Sequence, residues 1–215
     1  MVVGGAVDEG AFFHCVDVLQ AFVERRKGGE TGVASVQYLR GPETWAWTDR
    51  SPWAARLLES VRVRLDLKPG HFRETNAPNV CLIEYRDGTK AAVYNARGAG
   101  WTYAGDVDGQ QDPTVISMLG WPGPFSQYHA SNAQPHWITE TMVTGQEPFN
   151  AERLLLSTGI VAFAMDSHWE NGRYSAVGLR IETPFLDITY RSTRGPQFST
   201  GTRPPDTPYL RGFDM

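Results

Sequence analysis

The stretch GGAVDEGAFFHCVDVLQAFVERRKGGETG, Gly4 to Gly32, decides the architecture. Phe12, Val16, Leu19 and Val23 recur at the spacing of one helical face, with Phe22 beside them. Asp8 or Glu9 favours the start of a helix, and Arg25, Arg26 and Lys27 fall where the C-terminal dipole favours cations. Gly28 and Gly29 can supply the left-handed residue that ends it. The spacing therefore predicts an amphipathic helix with glycine-rich flanks, buried along one stripe. His14 and Asp17 ride on the same helix, three residues apart and so neighbours on its surface.

Outward from this helix, residues 33–39 alternate and are β-branched, as a strand requires. Trp45 and Trp47 lie in a segment that reads as either strand or loop. Ser51-Pro52 then opens a helix through Ala54, Leu57, Leu58 and Val61, ended by Pro69-Gly70. Asp87-Gly88 between the strand-like runs 80–85 and 89–96 is a hairpin signal. Residues 101–107 and 115–119 extend this into a meander of antiparallel strands. The period then changes. Residues 127–144 predict a helix interrupted or begun at Pro135 and stopped by Gly145, and Asn150 caps a second over 151–167. Gly159 inside that helix costs about 1 kcal/mol unless close packing needs it. Strands near 174–182 and 186–190 close the domain. The expectation is an α+β fold: an open, largely antiparallel sheet packed on one face by helices. Residues 1–190 form one domain, and 191–215 an extended Pro/Gly/Arg-rich tail or arm.

The 215 residues suffice for a sizeable core. A net charge of −4 gives no basic footprint for nucleic acid. No apolar run approaches the roughly 20 residues of a membrane helix, and no leader pattern opens the chain. Cys15 and Cys81, both in apolar company, read as buried thiols of a reducing compartment, so a cytoplasmic protein is expected. Seven Trp and eight Tyr either fill a sheet-rich core or furnish a surface that is apolar yet hydrogen-bonds, as at interfaces and sugar sites.

Among the motifs that carry chemistry, several are missing. The chain opens near Val-Val-Gly-Gly but has neither G-x-G-x-x-G nor G-x-x-x-x-G-K-[ST], so no nucleotide cofactor is expected in it. H-E-x-x-H and G-x-S-x-G are absent too, and no metal is expected, although His14, Asp17 and His129 could meet in space. The candidate acid/base pair is His14 with Asp17, a carboxylate beside an imidazole suiting proton transfer near neutral pH; a surface pair without function is the alternative. Glu84 and Tyr85 on a strand, and Tyr128 and His129 after a Gly/Pro loop, are candidate substrate-binding residues.

The run from Gly5 to Asp17, with an acidic residue, a glycine, then His14-x-x-Asp17 on a helix, resembles the start of the C-terminal domain of the Gfo/Idh/MocA oxidoreductases. There the pattern reads G-G-x-x-x-D-x-G-x-H-x-x-D; here Gly10 stands four residues before His14 instead of two. Phe22-Val-Glu-Arg-Arg-Lys-Gly-Gly-Glu-Thr-Gly32, Glu84-Tyr-Arg-Asp-Gly88, Thr144-Gly-Gln-Glu-Pro148, Glu152-Arg-Leu-Leu-Leu-Ser-Thr-Gly159 and Glu182-Thr-Pro-x-Leu-Asp-Ile-Thr-Tyr190 are similar to a divergent bacterial branch of that family. The resemblance covers roughly Gly4 to Tyr190. It implies the substrate-binding and oligomerising domain of an oxidoreductase-like protein acting on a sugar or polyol. NAD(P) would be held by a separate Rossmann domain, or that site would be lost. The family's nucleotide-binding glycines and its Glu-Lys-Pro stretch have no counterpart in this chain. On the resemblance His14 corresponds to the acid/base histidine and Asp17 to the acid one turn on. The expected partners are a small-molecule substrate, a Rossmann-domain chain and further copies of this chain associating through the sheet face. A non-enzymatic assembly module, and a nicotinamide-independent lyase or isomerase using His14, are the alternatives.

Overall fold

The computed structural model describes residues 1–4, 9–117, 135, 138–139, 141–170 and 173–192. Two compact units divide the chain, Met1–Met118 with Ala151–Arg191, and Leu119–Asn150 with Ser192–Met215. In the second, residues 141–144 are helical, and Gly145 ends them in a left-handed conformation with its N–H donating to Thr141 O at 2.8 Å.

The first unit runs β1 (Val2–Gly4), α1 (Glu9–Val23), β2 (Val33–Arg40), α2 (Pro42–Asp49), α3 (Pro52–Arg64), β3 (Asn79–Tyr85), β4 (Lys90–Asn95), β5 (Thr102–Gly105), β6 (Thr114–Ser117), α4 (Ala151–His168), β7 (Trp169–Glu170), β8 (Arg173–Tyr174) and β9 (Ile181–Glu182). Seven strands form one mixed sheet in the order β6-β5-β1-β4-β3-β2-β9, while β7 and β8 pair apart. The hairpin at Asp87-Gly88 is present, Gly88 taking φ +84° in the turn. The expected meander is interrupted. β1 lies between β4 and β5, parallel to the first and antiparallel to the second. Three residues are too few for periodicity to announce a strand. Trp45 and Trp47 belong to α2, which Pro42 opens at its first turn.

Helices cover both faces of the sheet, which corrects the expectation of one. Strand residues alternate between the two sides. Cys81, Ile83, Tyr85, Ala91 and Val93 point toward Phe12, Cys15, Val16 and Leu19 of α1 and Leu156, Ile160, Val161 and Ala164 of α4. Val80, Ala92 and Tyr94 point the other way, toward Ala54, Leu57, Leu58 and Val61 of α3, with Trp45 stacked on Tyr94 at 6.3 Å. The apolar stripe of α3 needed a surface to bury, and the second face supplies it. Gly159 meets the close approach that justifies a glycine within a helix: a Cβ there would run into the side chain of Leu186.

α1 and α4 are joined by buried charge. Glu24, 1% exposed, accepts hydrogen bonds from Arg153 Nε at 2.9 Å and Nη2 at 2.5 Å, from Tyr190 Oη at 2.8 Å and from Arg25 Nη1 at 2.8 Å. Glu30, also buried, accepts from the backbone N–H of Thr31 and Gly32, both 2.8 Å, from both Arg26 terminal nitrogens and from Gln20. Gln20 Oε1 in turn accepts from Tyr85 Oη at 3.0 Å, and Arg26 Nε reaches Asp87 at 2.6 Å. A buried carboxylate is tolerated when its lone pairs are filled in this way. Arg153→Met is expected to cost about 3–5 kcal/mol by stranding the Glu24 charge, and Glu24→Leu added to it to recover much of that loss. Urea denaturation of the single and double variants measures both.

Candidate functional site

The parallel pair β1 and β4 ends in register, Gly4 opposite Asn95. The chain leaves β1 and returns as α1 over the same end of the sheet. In open parallel α/β sheets ligands sit outside the carboxyl ends of the strands, and β1–β4 is the one parallel pair of this sheet among the described residues. Cys15 packs against Gly4 so closely that a Cβ at Gly4 would collide with its sulfur. His14, next in sequence, is exposed. Its ring lies 5.3 Å from Trp101, tilted by 36°, and 5.9 Å from Phe13. An imidazole presented on an aromatic bed can exchange a proton with a group placed above it.

Asp17 sits one turn further along, half-buried between α1 and α4, and accepts from Ser157 Oγ at 3.3 Å. Burial holds its carboxyl above the usual value, opposed by the Arg153 charge and the Ser157 hydrogen bond, with Glu24 adding to the rise and His14 opposing it. No hydrogen bond joins His14 to Asp17 among the described residues. The arrangement is an exposed base with a partly desolvated acid beneath it.

The remaining expected site residues do not gather here. Tyr85 faces α1 but is 1% exposed, its hydroxyl donating to Gln20 and its ring lying under the Arg26 guanidinium at 4.8 Å. Glu84, one residue earlier, points to the opposite face and forms an ion pair with Arg180 at 3.0 Å. Tyr128 and His129 lie outside the described residues. Trp101 and Asn79, which no sequence motif marks as site residues, also lie toward this end of the sheet. Asn79 shares the face of α1 and stands opposite Asn95; its Oδ1 is buried without a hydrogen-bond partner among the described residues. A buried amide oxygen left unpaired calls for an explanation, and a polar ligand is one. Their signal was weak: an asparagine at each open end of a hairpin. Among the described residues no three histidine, cysteine or acidic side chains could hold a metal together, and no helix is long and apolar enough to cross a membrane.

No family model, curated protein or solved structure matches the chain.

Because the folded state raises the Asp17 pKa, the native protein favours its protonated form. Stability is therefore lost as pH climbs from the unfolded value near 3.8 through the higher folded one, and the penalty persists at neutral pH. Asp17→Asn is expected to stabilise the protein more at pH 7 than at pH 3, measured by urea unfolding at the two pH values. An equal effect at both would show that Asp17 carries no titration penalty.

Proposed function

We propose that this chain is the substrate-binding domain of an oxidoreductase-like protein acting on a sugar or polyol, of the kind found C-terminal in Gfo/Idh/MocA proteins, with the nicotinamide held by a separate Rossmann domain. The observation that carries the reading is His14, exposed beside Trp101 at the carboxyl end of the β1–β4 pair, with Asp17 one helical turn below. His14 would take the proton of a substrate hydroxyl as hydride leaves its carbon for a nicotinamide in the partner domain. Trp101 offers a flat apolar surface beside the reacting hydroxyl, and Asn79 and Asn95 offer amides for neighbouring ones. A cytoplasmic location belongs to the same proposal.

α2 and α3 cover much of the sheet face through which self-association is expected from the sequence. Large apolar side chains left in water support self-association, among them Leu155, Leu179 and Phe185, the last 83% exposed.

Calorimetry of the isolated chain with NAD+ and with NADP+ is expected to show no micromolar binding, because the sequence lacks the G-x-G-x-x-G fingerprint that brings a helix N-terminus close to the pyrophosphate. With its Rossmann partner, NAD(P)+ reduction by a sugar or polyol is expected to be abolished by His14→Ala, while urea denaturation shows a loss below about 1 kcal/mol. Micromolar binding of either dinucleotide would overturn the division of labour. Sugar turnover by the isolated chain without nucleotide would favour a lyase or isomerase. Full activity of folded His14→Ala would remove His14 from the site.

A further inference from the structure

The second face of the sheet is not covered along its whole length. α2 and α3 sit over the half carrying Val80, Ala92 and Tyr94. Over the other half, at the amino end of β4 and away from His14, a cleft of about 250 Å³ remains open. Its back wall is Trp47 from the end of α2 and Trp53 from the start of α3, edge to face with ring centroids 5.9 Å apart.

The floor is ordered by strand register. Lys90, Glu84 and Ser35 stand directly opposite one another across β4, β3 and β2, and Glu182 of β9 continues the row beyond Ser35. All point to the face the tryptophans overlook, with Leu82 and Gln37 in the row behind. Arg180 fixes one end by bonding Glu84 at 3.0 Å and Glu182 at 3.1 Å. Gln37 Nε2 donates to Gly178 O at 2.9 Å, so its Oε1 is the end left to accept. The Lys90 ammonium has no hydrogen-bond or ion-pair partner among the described residues. With Arg180 included, the charges along the row balance, Lys90 and Arg180 against Glu84 and Glu182.

We propose that this cleft binds one neutral sugar or cyclic-polyol ring. The volume is below the roughly 300–1,000 Å³ of sites for drug-sized ligands and suits a single ring. The two indoles offer apolar surface to the C–H face of such a ring. The hydroxyls on its rim would meet acceptors and donors in alternation: the Glu84 carboxylate, the Ser35 hydroxyl, the Lys90 ammonium and Gln37 Oε1. A net-neutral row favours an uncharged ligand over a phosphate, and a polar floor disfavours a lipid chain. The site lies on the opposite face and at the opposite end of the strands from His14, so the proposal does not depend on the role given to that residue.

The test follows the indole N–H signals of Trp47 and Trp53 by NMR while D-glucose, D-galactose and myo-inositol are added in turn, with glycerol as the control. At least one ring compound is expected to shift both signals saturably, with Kd in the range of about 0.1–10 mM. Glu84→Gln, at a half-buried position, and Lys90→Ala, at an exposed one, are each expected to weaken that binding about tenfold or more, and His14→Ala to leave it unchanged. Circular dichroism confirms that each variant is folded. The proposal is overturned by no saturable shift with any of the three compounds, by the same shift with glycerol, by binding that survives both cleft substitutions, or by binding lost in His14→Ala alone.

Discussion

The bond between Glu24 and Arg153 sets the relation of everything on one side of the sheet. Asp17, Gln20 and Glu24 follow each other at helical spacing and form a polar stripe along α1 beside its apolar one. Arg153 and Ser157 form the matching stripe on α4. Asp17 meets Ser157 and Glu24 meets Arg153, so the two helices run in opposite directions past each other. A charged pair with several fixed hydrogen bonds admits one helical rotation, whereas an apolar seam alone tolerates neighbouring ones. Locking that rotation keeps Phe12, Val16 and Leu19 on the sheet and leaves His14 facing outward.

The same network explains why the recurring phrases of the sequence fall where they do. Glu24-Arg-Arg supplies one buried acid and the cation for a second. Gly29 and Gly32, both left-handed, let the chain curl so that Glu30 meets its own backbone amides. Tyr85 and Asp87 from the hairpin, Arg153 from α4 and Tyr190 from the last segment all converge on it. These motifs are first of all a device for holding elements together. Their presence says less about chemistry than their polarity suggests.

What could be read without coordinates divides along physical lines. α1, the Asp87-Gly88 hairpin, the Ser51-Pro52 start of α3 and the helix after Asn150 carry their signals locally, within a few residues. β1 does not, because three residues have no period. The covering of the second face was not legible because the pattern of α3 shows that it buries a stripe but not against what. The burial of Glu24 and Arg153 was hidden for a stronger reason: the partners are 129 residues apart, and each alone reads as a surface charge. At the candidate site, the proximity of His14 and Asp17 follows from helical geometry. The indole of Trp101, just before β5, and the unpaired amide oxygen of Asn79 on β3 arrive from far along the chain. Tyr85 illustrates the opposite error, since a polar tip on a strand looks the same in sequence whether it meets a ligand or a glutamine.

The position of β1 bears on the order in which the molecule assembles. β5 and β6 reach the rest of the sheet only through this strand. Its pairing with β4 closes a loop of about ninety residues, which costs more chain entropy than the short turn between β3 and β4. The β2–β3–β4 portion can therefore organise first, with β1 docking afterwards and β5 and β6 completing the sheet last. Run in reverse, release of β1 frees all three strands together. Amide protons of Val3, of Thr102–Gly105 and of Thr114–Ser117 should then exchange as one cooperative group, at lower free energy than those of Asn79–Tyr85. Trp101 adjoins this group, so the face on which His14 rests belongs to the more labile part of the protein.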